Sequence, residues 1–217
     1  DGLRERLAQF WADHFTARGK DQAMRPLVYG YVESAIRPNM IGHFEDLLIA
    51  VITSPLMLHY LDQDVSSGPN SPFAQRRGKG RGLNENLARE VLELHTLGVN
   101  GPYTQGDVRQ LAELFTGLSY KTDGTFTFRK GFAEPGAETV LGMSYGEGKT
   151  GIEPVVDALH DIAVHPVTAK HIAWKLAVHF VSDDPDQALV DHVTERFVET
   201  DGDLLEVYAA LLDHPTS

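Results

Sequence analysis

The chain has 217 residues, 42% of them hydrophobic and 23% charged, which suits one soluble globular domain with a substantial core. A formal charge of −12 opposes general binding to nucleic acid or an anionic membrane, because the field repels polyanions. The absence of cysteine excludes disulfides, thiolate metal sites and cysteine nucleophiles, and is compatible with cytoplasm or periplasm.

In chain order, the first predicted helix covers about residues 2–17, with Leu3, Leu7, Phe10 and His14 on one stripe at helical spacing. A second covers about 22–36 and ends near Arg37-Pro38, since the residue before proline disfavours helix. "IGHFEDLLIAVIT" is amphipathic, and Ser54-Pro55 restarts the chain as an N-cap with proline at the first helical position. A loop over about 62–82 is rich in Ser, Gly, Pro and Arg, and is long for a compact domain. Then comes "GLNENLAREVLELHTLG", residues 82–98, a helix carrying unusual polarity and stopped by Gly98.

Thr104 is the next expected N-cap, with Asp107 in the first turn and Val108, Leu111, Leu114, Phe115 and Leu118 as the apolar face. "GTFTFR" and "ETVLG" predict two short strands. Helices follow over about 151–163, 166–181, 185–199 and 203–212. The expected fold is mostly α, a single-domain, multi-helix, bundle-like arrangement over 1–217 with one small β-hairpin-like excursion near 125–142. No apolar run approaches the roughly 20 residues that span a bilayer. Position 1 is not Met and no signal peptide is visible, so the chain is expected to be the C-terminal part of a longer one. The compartment, periplasmic or secreted against cytoplasmic, stays open.

Advancing 100° per residue from Asn84 places Leu87, Ala88, Val91 and Leu94 on one side of the 82–98 helix, and His95 with them. Glu85, Asn86, Arg89, Glu90 and Glu93 take the other half. The bland account of that half is a solvated face with a Glu85–Arg89 pair. The sharper one makes Glu90 and Glu93 metal ligands or an acid/base pair facing a bundle core, although no Glu-x-x-His partner follows. His14 and His95 occupy apolar positions. With Asn84, Glu85, Asn86 and Arg89 they form a candidate buried polar network, either structural or orienting a reactive group.

Arg76, Arg77, Lys79 and Arg81 make the glycine-rich loop cationic, and it leads into a helix N-terminus, a candidate anion site. "GEGKT" lacks the first glycine of a phosphate loop, with Met143 in its place. His171, Lys175 and His179 follow an i, i+4, i+8 stripe that reads as surface rather than metal site, because Lys175 repels a cation. Asp183, Asp184 and Asp186 lack the glycine and glutamate of a calcium loop. No Gly-x-Ser-x-Gly elbow is present, and no cofactor motif emerges.

"GLNENLAREVLELHTLGVNGPYTQGDV" resembles the signature of the bacterial family called domain of unknown function 1800 (DUF1800). "LRERLAQFWADHF" is similar to its Trp-x-x-His-Phe helix, "HFEDLLIAVITSPLMLHYLD" to its next helix pair, "FTGLSY" and "ETVLG" to its mid-segment, and "TAKHIAWKLAVHFV" to a late helix. The family's usual His-Asp pair before the segment at Pro135-Gly136 is replaced here by Phe132-Ala133-Glu134. The resemblance implies a longer parent chain and supplies no reaction. Two functions stand. One is a helical binding or assembly module with a protein partner or small ligand. The other is a metal-assisted hydrolase using Glu90, Glu93, His14 and His95.

Overall fold

The structure is a computed structural model that describes residues 2–20, 22, 24, 27–77 and 82–215, Arg77 through its backbone only. Helix α1 (Gly2–His14) is followed by α2 (Leu27–Tyr31), which widens into a π-type turn over Val32–Ile36. Next come α3 (Phe44–Ile52), α4 (Pro55–Tyr60), α5 (Pro72–Arg77) and α6 (Asn86–Glu90). A second π-type turn, Val91–His95, prolongs α6, and α7 (Gln105–Leu114) follows. Four short strands separate α7 from the last four helices: β1 (Leu118–Tyr120), β2 (Phe126–Phe128), β3 (Glu138–Val140) and β4 (Met143–Tyr145). The chain then forms α8 (Glu153–Ala163), α9 (Pro166–Phe180), α10 (Gln187–Glu199) and α11 (Leu204–Asp213). The fold is mostly α, as the sequence pattern predicts.

Local chemistry explains most helix starts. Helices α4 and α9 each open on proline after an extended Ser54 or His165, and the His165 ring accepts from the Val167 amide. Thr104 and Asp107 close a reciprocal capping box on α7, while Asp186 and Asp203 accept amides at the starts of α10 and α11. The β excursion consists of two antiparallel hairpins, because the two predicted strands pair with their neighbours rather than with each other: β1 with β2, and β3 with β4. The second predicted helix forms only from Leu27 among the described residues, and Leu3 is exposed, since the first turn of α1 projects beyond the core.

One contiguous hydrophobic cluster runs from α1 to α11. Its centre is an aromatic stack in which Trp11 lies 5.7 Å from both Phe15 and Phe44, and Phe44 lies 5.8 Å from Phe197. Trp11 Nε1–H donates to the Tyr208 hydroxyl at 2.6 Å, and that hydroxyl donates to the Met40 carbonyl at 2.8 Å. Buried polarity is thus satisfied in a relay that ties α1 to α11 and to the turn before α3. Among the described residues no helix is long and apolar enough to cross a membrane.

Tyr208→Phe keeps the ring but strands the Trp11 N–H and the Met40 carbonyl. It is expected to cost about 2 kcal/mol in urea unfolding; an unchanged midpoint would remove the relay from the account.

Candidate functional site

The 84–98 segment begins as an ordinary helix and then widens. Asn84 sets its start: its Oδ1 accepts from the Asn86 amide at 2.9 Å, and its Nδ2 donates to the Leu61 carbonyl at 3.1 Å. The Asn84 amide itself donates to Ser66 Oγ at 3.0 Å. The π-type turn after Glu90 rotates the following side chains away from a straight wheel. Leu94, expected inside, is therefore 45% exposed, while Leu92 is fully buried. Thr96 Oγ1 donates back to the Val91 carbonyl at 2.6 Å, and the backbone leaves the helix through Gly98 at φ +84°. A side chain at Gly98 would be strained in that conformation and would press on the His171 ring, whose Nδ1 lies 3.1 Å from a built Cβ.

The last carbonyls of a helix lack intrahelical partners, and two histidines from elsewhere supply them. His14, at the end of α1, donates from Nε2 to the His95 carbonyl at 3.1 Å. His171, from α9, hydrogen-bonds the Leu94 carbonyl. The first bond fixes the His14 tautomer: Nε2 carries the proton, so Nδ1 keeps its lone pair. Lys175, one turn beyond His171, donates its Nζ to that Nδ1 at 2.7 Å. The His14 ring is 5.9 Å from the His95 ring and 6.5 Å from the His171 ring. Phe10, Trp11 and Phe15 complete its walls. His95 Nδ1 and His171 Nε2 are buried without a hydrogen-bond partner among the described residues.

This environment favours neutral bases. Burial, then the neighbouring Lys175, holds His14 well below the ordinary histidine range and depresses His95 to about 3. His171 is lowered for the same two reasons in the same order, and burial lowers the Lys175 ammonium. Among the described residues no carboxylate pairs with Lys175. The stripe expected to be surface is therefore divided. His171 and Lys175 turn inward, and only His179 stays exposed, its ring edge-on to Phe10 at 5.2 Å.

The other predicted residues lie elsewhere. Asn84 and Asn86 belong to the N-terminal end of the segment, about 14 to 16 Å from His95 at helical rise. Arg89 bridges Glu85 at 3.1 Å and Glu93 at 3.0 Å, and Gln105 bonds both Arg89 and Glu85 at 2.9 Å. The acidic half of the helix is thus a clamp onto the start of α7. Glu90 is raised by burial and then by Glu93, and lines a separate 150 Å³ hollow with Leu61, Asn86 and Arg89. Glu90 and Glu93 do not join the histidines. Among the described residues no group of three or more His, Cys, Asp or Glu is placed to hold a metal ion. Arg76 is exposed at the end of α5; the Arg77 side chain, Lys79 and Arg81 lie outside the described residues.

A second polar cluster centres on Glu138, which bonds Glu113. Burial first, then Glu113 and Glu134, raise Glu138 to about 7. Glu134 accepts from the Asn70 amide at 2.9 Å and Nδ2 at 2.5 Å. Sequence reading missed Lys175 and His171 as partners of His14. It missed Glu138 as well, whose only local mark is a carboxylate in a short strand.

The histidine cluster makes stability depend on pH with a definite sign. Three imidazoles have folded pKa values below their unfolded value of about 6.5, so their contribution is full above that pH and is lost as pH falls through it. Each supplies a slope of up to about 1.4 kcal/mol per pH unit. His171→Asn keeps a donor near the Leu94 carbonyl and is expected to reduce the slope of urea stability between pH 6.5 and 5. Equal slopes in the two proteins would contradict burial of a neutral His171.

No curated protein and no solved structure matches this chain. The family model described as "Protein of unknown function (DUF1800)" matches residues 1–217. The chain belongs to the DUF1800 family over its whole length.

Proposed function

We propose that the protein is a helical binding module whose ligand site is the groove above His14 and Lys175, and that it takes a small ligand bearing an anionic group. The groove measures about 250 Å³ and is lined by Phe10, Asp13, His14, Trp174, Lys175 and Val178, with His179 at its edge. On the other side of Trp174 lies a wider groove of about 620 Å³, where Lys170, His171, Asn100 and Gln187 add polar groups to an apolar floor. Trp174 is 49% exposed between the two, an apolar platform flanked by cations.

The observation that carries this reading is Lys175. A half-buried ammonium normally has an anionic partner, because desolvating it alone is costly. Here, among the described residues, its one hydrogen bond goes to an imidazole. Asp13 lines the same groove without pairing to it among the described residues. A ligand carboxylate or phosphate at Lys175 supplies the missing charge, while Trp174 and Phe10 cover its apolar part. Lys170 and Lys175 also give this face a local sign opposite to the net charge of −12, which favours anion capture over the rest of the surface.

The two tryptophans make the test clean, since Trp11 is fully buried and Trp174 is exposed. Titration with inorganic phosphate at constant ionic strength is expected to change Trp174 emission saturably. Lys175→Gln is expected to weaken the midpoint at least about tenfold, the cost of one charge-assisted hydrogen bond. No emission change, or an unaltered midpoint in the variant, would overturn the reading.

A further inference from the structure

We propose that Lys175 is a nucleophilic amine that condenses with small aldehydes or ketones entering the groove, with His14 as the group that accepts and returns its proton. The proposal rests on the groove of the preceding section being the ligand site, and adds a covalent chemistry to it.

Three features of the geometry point this way. First, the His95 carbonyl holds the His14 N–H, so the nitrogen facing Lys175 is a lone pair and not a second donor. A lone pair can relay a proton from the nitrogen once that nitrogen has bonded to the carbonyl carbon; an N–H could not. Second, the same contact orients the amine. With one N–H directed at His14 Nδ1 across 2.7 Å, the nitrogen lone pair of the neutral amine is free to meet a carbonyl carbon in the groove. Third, the surroundings withhold what normally keeps lysine protonated. Phe10, His14, Trp174 and Val178 line the groove around it, and no carboxylate pairs with it among the described residues. The charged and titratable groups facing it are His14 and Asp13 from α1, His171 and His179 from its own helix, and His95 from the end of the 84–98 segment. Burial lowers the Lys175 pKa, and a desolvated lysine in an apolar pocket is an activated nucleophile.

The step balances without any further reagent. The Nζ lone pair forms a bond to the carbonyl carbon as the carbonyl π pair moves onto oxygen. The proton lost from nitrogen passes to His14 Nδ1 and on to that oxygen, giving a carbinolamine. His14 Nδ1 then takes the second N–H proton and delivers it to the hydroxyl, which leaves as water as the nitrogen pair forms the C=N bond, giving a neutral imine on Lys175. The sum is one amine and one carbonyl converted to one imine and one water, with no change of oxidation state. Phe10 and Trp174 suit a compact carbonyl compound, and Lys170 and His171 lie on the side where an anionic substituent would project.

The test traps the imine with glyoxylate and cyanoborohydride in the intact chain and compares lysines by peptide mass mapping. Near neutral pH, Lys175 is expected to label roughly tenfold faster than exposed Lys121 and Lys170. The advantage should vanish above about pH 10, where surface amines are neutral as well. His14→Gln, which keeps a donor for the His95 carbonyl but removes the proton acceptor, is expected to abolish most of the advantage. Labelling of Lys175 no faster than Lys121 near neutral pH in the wild-type chain would overturn the proposal, with no variant needed. Fast Lys175 labelling without a phosphate response at Trp174 would support the reactive amine and defeat the anion site. A phosphate response with ordinary labelling would do the reverse.

Discussion

Everything around the candidate site depends on one imidazole, His14, held between a carbonyl and an amine. Its Nε2–H satisfies the His95 carbonyl at the end of the 84–98 helix, and its Nδ1 receives Lys175. The first contact solves a structural problem that every helix end poses, the disposal of carbonyls that no longer find an amide in the next turn. Because a side chain from α1 solves it, the first helix, the 84–98 helix and α9 are locked in one register. His171 repeats the device on the adjacent carbonyl. The glycine at position 98 is needed because the reversing backbone passes close to that second ring.

The same contact sets the chemistry. A histidine committed through Nε2 to a carbonyl is a base only at Nδ1. Packing against Phe10, Trp11 and Phe15 denies it water, so it stays neutral at ordinary pH. Lysine, drawn to that lone pair, inherits a half-buried position without an anionic partner among the described residues. Structural capping and an unbalanced cation at a groove are therefore two consequences of one arrangement, not separate features of the fold. The acidic half of the 84–98 helix plays a different part: Arg89, Glu85, Glu93 and Gln105 join it to α7 and leave the groove to the basic face of α9.

The legible portion of this in the sequence was whatever obeys a single helical period or a short capping pattern. His14 completes the stripe of Leu7 and Phe10, and His95 falls on the side of Leu87 and Val91; both are buried. Thr104 with Asp107, and proline after Ser54 and His165, mark helix starts where the structure has them. What failed was whatever needs the third dimension. Leu94, expected inside, is exposed because a π-type turn breaks the 100° wheel, and nothing in its neighbours' identities announces the extra residue per turn. The His171–Lys175 stripe looks like solvent-facing polarity until α1 is packed over it. The predicted strands also found their true partners in Leu118–Tyr120 and Met143–Tyr145, pairings that turn geometry rather than composition decides. The network proposed around Asn84 and His95 is two clusters at opposite ends of one helix, joined by sequence and not by contact.

The central claim is the protonation state and tautomer of His14. Long-range nitrogen–proton correlation NMR on the chain labelled at histidine reads both directly near neutral pH. The account predicts a neutral ring with the proton on Nε2 and a lone-pair nitrogen at Nδ1, changing when Lys175 is replaced by Gln. A charged imidazolium, or a neutral ring carrying its proton on Nδ1, would contradict it.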